Sequence, residues 1–307
     1  MIEIRNYEFV RVTGPDAKAF LQGQVTCDIQ KLEKNRALAG AICNLKGRVI
    51  ADFILVLEGE DCVLRTQTGM AVIIKNTLEK YAIFSKVKLS IKTQFTRVLG
   101  MSADEDSEFL TKSIEKSTKG ALDYHVSTHA IFIRLPGNDK RIEVWIRDEK
   151  QFDDWVVNHD LDAVENWNKK DILQGVIHIS PILSEKHTPQ VLNYDLSGII
   201  DFSKGCYTGQ EIIARMHYRG TAKKRLSLLL CKSVIKQDSE VIQRYGDKTN
   251  FSKVLAYSNS SNGSESSALL SILDIANGES NFSLASPTNE EQVLNFQSLS
   301  YPLADDL

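Results

Sequence analysis

Residues 204–211 read Lys204-Gly205-Cys206-Tyr207-Thr208-Gly209-Gln210-Glu211, and they are the most informative stretch of the chain. A threonine followed three residues later by a glutamate is typical of a capping box, so the pattern predicts that a helix begins at Thr208. Gly220 predicts its end, because glycine readily adopts the backbone that terminates helices. The stretch therefore predicts a loop that leads into a short helix.

Cys206 lies just before this predicted helix and two residues after Lys204. The partial positive charge of a helix N-terminus and a nearby ammonium group both favour the thiolate, which is the form that attacks or binds metal. We therefore predict that Cys206 is a functional thiol and the leading catalytic candidate, and that Lys204 activates it. The alternative is that Cys206 is a small buried apolar residue, as many free cysteines are.

The same octapeptide is followed by Ala214-Arg215, Tyr218-Arg219-Gly220 and Lys224-Arg225, and together these residues resemble the signature of the YgfZ family. Members of this family are folate-binding relatives of the glycine-cleavage T-protein. The residues matched around the cysteine are Gly205, Tyr207, Thr208, Gly209, Gln210, Glu211 and Arg215. The resemblance implies an α+β fold, with a T-protein-like folate-binding platform of two related subdomains and a small C-terminal β-barrel.

Further stretches extend the resemblance. Residues 20–28, Phe-Leu-Gln-Gly-Gln-Val-Thr-Cys-Asp, are similar to the family's N-terminal element. Residues 167–175 are similar to its W-x-x-x-D-I-x-x-G stretch, in which the tryptophan helps to bind folate, and Asn193 ends a P-x-x-x-N run. The family has a second tryptophan where this chain has Tyr7, which keeps a ring but reduces the stacking area.

The resemblance thus implies that Tyr7, Trp167 and Asn193 contact tetrahydrofolate or a derivative. It also implies a role in the assembly or repair of iron–sulfur proteins, including those that act in tRNA modification. From the residues alone, a tryptophan is more often a core residue, and Gln22, Gln24 and Asn193 are more often amides that stabilise loops. The alternative function is a folate-dependent one-carbon transferase of the aminomethyl type, with Asp28 or Asp171 as its carboxylate.

Hydrophobic periodicity predicts the same layout without reference to a family. Strands alternate with helices up to Arg225, and short β-rich segments separated by polar turns follow. The pattern predicts a strand over Tyr7–Val12, a helix that ends near Gly23 and a hairpin around Asn44–Gly47. It also predicts a helix over 151–157, capped by Asp148, and another over 163–174.

The change of pattern after Arg225 predicts an α+β platform of two related halves over residues 1–225 and a small β-barrel or sandwich over residues 226–307. The resemblance implies the barrel, and it implies platform subdomains that can be discontinuous in sequence. The serine-rich tract at 258–267 predicts a loop.

Composition excludes several classes of protein. The chain has 307 residues, of which 42% are hydrophobic and 25% charged, as in ordinary globular proteins. Five scattered cysteines without a C-x-x-C pair argue against a disulfide framework and against a self-contained metal site. Phosphate-binding glycine motifs are absent, which excludes a P-loop or Rossmann site. No signal-peptide pattern and no 18-residue apolar run occur, so we expect a cytoplasmic protein with no membrane partner.

The net charge is −3, yet residues 203–225 contain six basic residues and one acidic residue. We call this segment the basic strip. It suits an anionic ligand or partner, and direct binding of tRNA is one interpretation. The alternative is a solvated helix face next to a basic loop.

Overall fold

A computed structural model describes residues 1–102, 112–137, 139–147, 161–220, 222–236, 238–260, 266–275, 280–285, 292–299 and 301, without the side chains of 112, 113, 161 and 162. These residues form two compact units. The first comprises Met1–Asp160, His178–Thr188 and Gly198–Ala214, and the second comprises Leu161–Ile177, Pro189–Ser197 and Arg215–Leu307. The predicted helix over 151–157, capped by Asp148, lies outside the described residues, as does the middle of the serine-rich tract.

The first unit contains two five-stranded antiparallel sheets. One has the order β3-β4-β5-β2-β6, and its strands are β2 (Tyr7–Thr13), β3 (Leu38–Cys43), β4 (Val49–Glu58), β5 (Asp61–Gln67) and β6 (Lys88–Ser90). The hairpin predicted around Asn44–Gly47 is present, because β3 and β4 pair antiparallel. The other sheet has the order β1-β7-β10-β9-β8, from β1 (Ile2–Ile4), β7 (Arg97–Ser102), β8 (Tyr124–Val126), β9 (Ala130–Arg134) and β10 (Arg141–Ile146).

The two sheets of the first unit are joined by aromatic and ionic contacts. Phe9 packs against Phe95 and Trp145, with ring centroids 5.1 Å apart in both cases. Arg65 of β5 donates two hydrogen bonds to Glu143 of β10, at 3.1 and 2.7 Å. Both charged side chains are almost fully buried. This buried ion pair links the two sheets, and removing either partner would leave an uncompensated buried charge.

The second unit is built on a closed antiparallel barrel, with the order β11-β14-β13-β12-β15-β16. Its strands are β11 (Lys224–Cys231), β12 (Glu240–Tyr245), β13 (Lys248–Ser258), β14 (Ser267–Asp274), β15 (Asn281–Leu284) and β16 (Gln292–Gln297). Leu229, Val241 and Leu269 belong to the apolar cluster inside it. The barrel agrees with the predicted C-terminal architecture, while the domain boundary at residues 225 and 226 stays a prediction.

Five α-helices complete the described structure: α1 (Ala17–Gln22), α2 (Met70–Glu79), α3 (Lys112–Ser117), α4 (Leu161–Leu173) and α5 (Gln210–Arg219). Helix α1 ends before Gly23 and α5 before Gly220, as predicted. Helix α4 packs against β13 and β14. Among the described residues, no helix has both the length and the apolar character needed to cross a membrane.

Candidate functional site

The two most specific sequence motifs lie next to each other in the first unit. The backbone of Thr208 donates to the carbonyl of Gly23 at 3.1 Å, and the backbone of Asp201 donates to the carbonyl of Thr26 at 3.0 Å. The hydroxyl of Thr26 donates to the carbonyl of Ile199 at 2.8 Å. Residues 22–28 therefore form the support on which residues 199–211 rest, although the two segments are far apart in the sequence.

Lys204 is the central anchor of this contact. Its side chain is buried, and Nζ donates to the carbonyl oxygens of Gln22, Val25 and Cys27 at 2.8, 2.6 and 2.9 Å. Burial lowers the pKa of Lys204, because desolvation disfavours the charged form. All three N–H groups of the ammonium are used by these carbonyls. Lys204 therefore anchors this contact, and its predicted role in activating Cys206 stays a prediction.

Cys206 is exposed, whereas the chain's other cysteines, Cys27, Cys43, Cys62 and Cys231, are buried. Burial raises the pKa of Cys27 and of Cys43 to about 12, so neither thiol ionises near neutral pH. The alternative that Cys206 is a buried apolar filler is wrong. The fold thus presents one thiol to solvent and encloses the rest.

The residues after Cys206 hold the loop that carries it. Tyr207 is buried, and its ring centroid lies 5.0 Å from Nζ of Lys204. Gly209 has a φ of +85°, and a Cβ there would lie 2.5 Å from the carbonyl oxygen of Asn44, so only glycine fits this approach. Cys206 therefore protrudes from a segment that is fixed on both sides.

The helix start differs from the predicted capping box. Helix α5 begins at Gln210, so the preceding residue is Gly209, and Thr208 lies one position further out. The hydroxyl of Thr208 pairs instead with Oε1 of Gln24 at 3.1 Å. The predicted box is displaced because the left-handed backbone of Gly209 makes the turn into the helix. Glu211 and Arg215 lie on α5, where both are exposed.

Tyr7 lines a second feature of the first unit, a cavity of about 700 Å³. Its aromatic walls are Tyr7, Phe9 and Phe95, and its cationic residues are Arg5, Lys92 and Arg97. Both arginines pair with Glu3. The Arg65 guanidinium carbon lies 3.9 Å from the Tyr7 ring centroid and covers one face of the ring. A planar ligand can therefore stack only on the other face.

A hydrogen-bonded chain that sequence reasoning missed ends at the phenol of Tyr7. Nδ1 of His178 lies 2.7 Å from Oδ2 of Asp52, and the backbone of Ile179 donates to Oδ1 of Asp52 at 2.6 Å. Nε2 of His178 lies 3.4 Å from the Tyr7 hydroxyl. Asp52, the one acid within the otherwise apolar run 49–57, was the available signal, since no spacing links residues 52 and 178.

The other two predicted folate contacts belong to the second unit. Trp167 lies on α4 and is buried. Asn193 is fully buried with a φ of +60°, and its Nδ2 donates to the carbonyl of Leu226 at 2.8 Å and to the hydroxyl of Tyr301 at 3.3 Å. Its Oδ1 has no hydrogen-bond partner among the described residues. The side chain of Asn193 is thus a structural link, and its contact with folate stays a prediction.

The remaining polar candidates are engaged in local structure. Gln22 accepts from the backbone of Ile29 at 2.7 Å and donates to Asp28 at 2.8 Å. Asp28, proposed as a carboxylate of the transferase alternative, also accepts from the backbone of Gln30 and caps a short 3₁₀ helix. No group of three or more His, Cys, Asp or Glu residues in the described part of the chain could hold a metal ion.

The basic strip carries fewer accessible charges than its sequence suggests. Lys204 is buried, and so is Arg225, which donates to Asp195 at 2.6 Å and to the carbonyl of Gln190 at 2.7 Å. Lys224 lies 3.5 Å from Asp274. Two of the six cations are thus internal, so the strip is a weaker surface for a polyanion than predicted.

Comparison with known proteins gives a consistent group of relatives. The chain is 31% identical over 238 residues to the tRNA-modifying protein YgfZ of Hamiltonella defensa, covering 76% of this chain and 70% of that protein. It is 30% identical over 229 residues to the tRNA-modifying protein YgfZ of Aliivibrio fischeri, covering 74% and 70%. No family model matches the chain.

Among solved structures, the chain resembles the glycine cleavage system aminomethyltransferase T of Bartonella henselae. The TM-score is 0.74 at 14% sequence identity, over 97% of this chain and 84% of that one. At this identity the likeness shows the fold alone. The predicted T-protein-like α+β fold with a C-terminal barrel is confirmed.

Proposed function

The chain belongs to the YgfZ family, and on that premise we propose that it is a folate-binding accessory protein for the assembly or repair of iron–sulfur proteins, including those that act in tRNA modification. The observation that carries the proposal is the single exposed thiol, Cys206, on a loop anchored by buried neighbours. An anchored loop can present a reactive side chain to a partner protein, because the position of that side chain is fixed before the partner binds.

Cys206 acts in this proposal by contacting an iron–sulfur cluster during transfer, or by protecting it from oxidation. Clusters are usually held by four cysteines. Because the other four thiols of this chain are buried, the remaining ligands come from the partner. The iron–sulfur cluster is therefore cargo that this protein shares briefly with its client.

The cavity at Tyr7 supports folate as the ligand. A folate has a flat pterin, which favours aromatic stacking, and a glutamate tail whose carboxylates favour cations. Tyr7, Phe9 and Phe95 supply rings, and Lys92 supplies a cation that forms no ion pair within the described part of the chain. These residues fit the group, with Tyr7 stacking on the face that Arg65 leaves open. The bound folate would supply its one-carbon or redox chemistry.

The thiol is tested by replacing Cys206 with serine in cells whose native copy is deleted. Serine keeps the size and hydrogen bonding of the side chain but removes the sulfur, so we expect the activities of iron–sulfur enzymes to fall to the level of the deletion. Ser203→Ala, at a neighbouring exposed position, is the control and should restore activity. Full activity of the Cys206→Ser cells rejects the thiol hypothesis.

The ligand is tested by titrating purified protein with tetrahydrofolate and following tryptophan fluorescence. We expect Tyr7→Ala to weaken binding about fivefold, as aromatic stacking contributes about 1 kcal/mol. Trp167→Ala tests the second predicted contact. Its affinity is measured by calorimetry, because this substitution removes one of the tryptophans that give the fluorescence signal. Tyr218→Ala, at a residue that is 69% exposed, is the control. Unchanged affinity in both variants rejects the folate contacts.

A further inference from the structure

Residues 80–88 form an exposed turn that belongs neither to the cavity at Tyr7 nor to the loop that carries Cys206. It follows α2, contains a 3₁₀ helix over Ala82–Phe84 and ends in β6. Phe84 is 98% exposed, Ile83 is 76% exposed and Tyr81 is 42% exposed. A cluster of exposed large apolar side chains is typical of an interaction site. This segment, residues 80–88, is called the lysine turn below.

The backbone of the lysine turn is fixed by its neighbours. The backbone N–H of Lys86 donates to Oδ2 of Asp16 at 2.7 Å, and the backbone of Ser85 donates to the carbonyl of Ala82 at 3.0 Å. Gly14 packs so closely that a Cβ there would lie 2.2 Å from the carbonyl oxygen of Lys86. The exposed rings are thus carried by an ordered support.

The charge of the lysine turn is of one sign. Residues 80–88 contain Lys80, Lys86 and Lys88 and no acidic residue, in a chain whose net charge is −3. All three lysines are exposed, and none forms an ion pair within the described residues. The nearby Lys75, in contrast, is neutralised by Glu79 at 2.8 Å. The turn is therefore a local cationic surface around two aromatic rings.

We propose that the lysine turn binds single-stranded RNA. Lysines neutralise phosphates, and an aromatic ring accepts any base by stacking, which together form the usual platform for single strands. Phe84 is almost wholly exposed, so its ring faces are open to a base, and Tyr81 offers a second ring three residues earlier. A surface whose charges are all unpaired cations favours a polyanion as its partner over a protein surface of mixed charge.

This inference goes beyond the proposed function, because it uses neither Cys206 nor the residues that line the cavity. It also moves the expected contact with nucleic acid away from the basic strip. Two of the strip's six basic residues are buried. The exposed Arg219, Lys223 and Lys224 of that strip give a control of equal charge.

The test measures anisotropy of a fluorescein-labelled oligouridine at several salt concentrations, with the full chain. A variant carrying Lys80→Gln, Lys86→Gln and Lys88→Gln removes three charges, so the slope of log affinity against log salt should become shallower by about 2. Phe84→Ala should weaken binding about tenfold and leave the slope unchanged, because it removes stacking alone. Arg219→Gln with Lys223→Gln and Lys224→Gln is the matched control and should change neither quantity.

Three outcomes overturn the proposal. They are no binding of oligouridine by the unaltered chain at low salt, an unchanged slope in the lysine variant, and a loss confined to the strip variant. A duplex RNA of the same length should bind more weakly and should not respond to Phe84→Ala, since its bases are already stacked. The lysine variant should keep its circular dichroism spectrum and its affinity for tetrahydrofolate, which separates this test from that of the proposed function.

Discussion

The segment 204–211 of the first unit and the residues 167–193 of the second unit both belong to stretches that resemble the YgfZ family, yet the structure uses them differently. In the first, buried Lys204 and Tyr207 flank exposed Cys206. In the second, Trp167 and Asn193 are both enclosed. A motif therefore contains both residues that support a site and residues that a ligand can reach. Burial and hydrogen bonds distinguish the two kinds where the sequence pattern does not.

Removing the anchor of the first segment should destabilise the protein more than the other substitutions considered below. Lys204→Met leaves three backbone carbonyls without their donor, so the free energy of unfolding should fall by about 4 kcal/mol, at about 1–3 kcal/mol for each unsatisfied group. Urea denaturation followed by circular dichroism measures the loss. Lys223→Met, at an exposed lysine, is the control. Equal midpoints for both variants contradict the anchoring role.

The two glycines of the same segment differ in the space around them. Gly209→Ala places a Cβ 2.5 Å from the carbonyl oxygen of Asn44 at a positive φ, so stability should fall by about 3 kcal/mol from the left-handed backbone and the crowding together. Gly205 has no atom within 4 Å of the corresponding position. Gly205→Ala should therefore change the thermal midpoint little. A similar loss in both variants disagrees with the structure.

In the second unit, Asn193→Ala tests whether this buried amide is a structural link. The substitution removes two hydrogen bonds and places alanine at a φ of +60°, so we expect a loss of about 2–3 kcal/mol. Asn193→Gly keeps the backbone conformation and should lose less. Thermal unfolding measures both. Equal losses would assign the whole effect to the side chain and none to the backbone.

The smallest effect concerns Asp201, beside the anchored segment. Burial raises the pKa of this carboxyl, but hydrogen bonds from Lys31 and Ser203 lower it more, and the result is about 2. A carboxyl with a lowered pKa adds stability above its unfolded pKa of about 4, and the gain is lost as pH falls toward 2. The thermal midpoint of the native chain should thus exceed that of Asp201→Asn at pH 6 and converge with it near pH 2.

Asp247→Asn, at an exposed aspartate, accounts for the loss of one negative charge in this experiment. A difference between the native chain and Asp201→Asn that stays constant from pH 6 to pH 2 contradicts the role of the two hydrogen bonds.

Much of the fold followed from the sequence, because alternation and turn residues are local signals. The strand at Tyr7, the hairpin around Asn44–Gly47 and helix α4 were all predicted close to their observed positions. Strand β12 was missed because half of its residues are polar. It is a strand because it pairs with β13 and β15. Helix α3 and strand β1 are short and were missed for lack of periodicity.

The site was predicted less completely, because its geometry depends on distant contacts. The exposed position of Cys206 agrees with the pattern around it, but the anchoring contacts of Lys204 were not predicted. Its acceptors lie 177 to 182 residues earlier in the chain, which no local spacing reveals. The chain from Asp52 through His178 to Tyr7 was missed for the same reason.

The contrast between one exposed sulfur and four enclosed ones has a practical consequence. A maleimide-linked spin label or fluorophore added to the unaltered chain should attach at Cys206 alone, since the other thiols are shielded. Distances from that position to a labelled client, or changes in its mobility when a cluster or an RNA is added, can then be followed without first engineering a cysteine-free background.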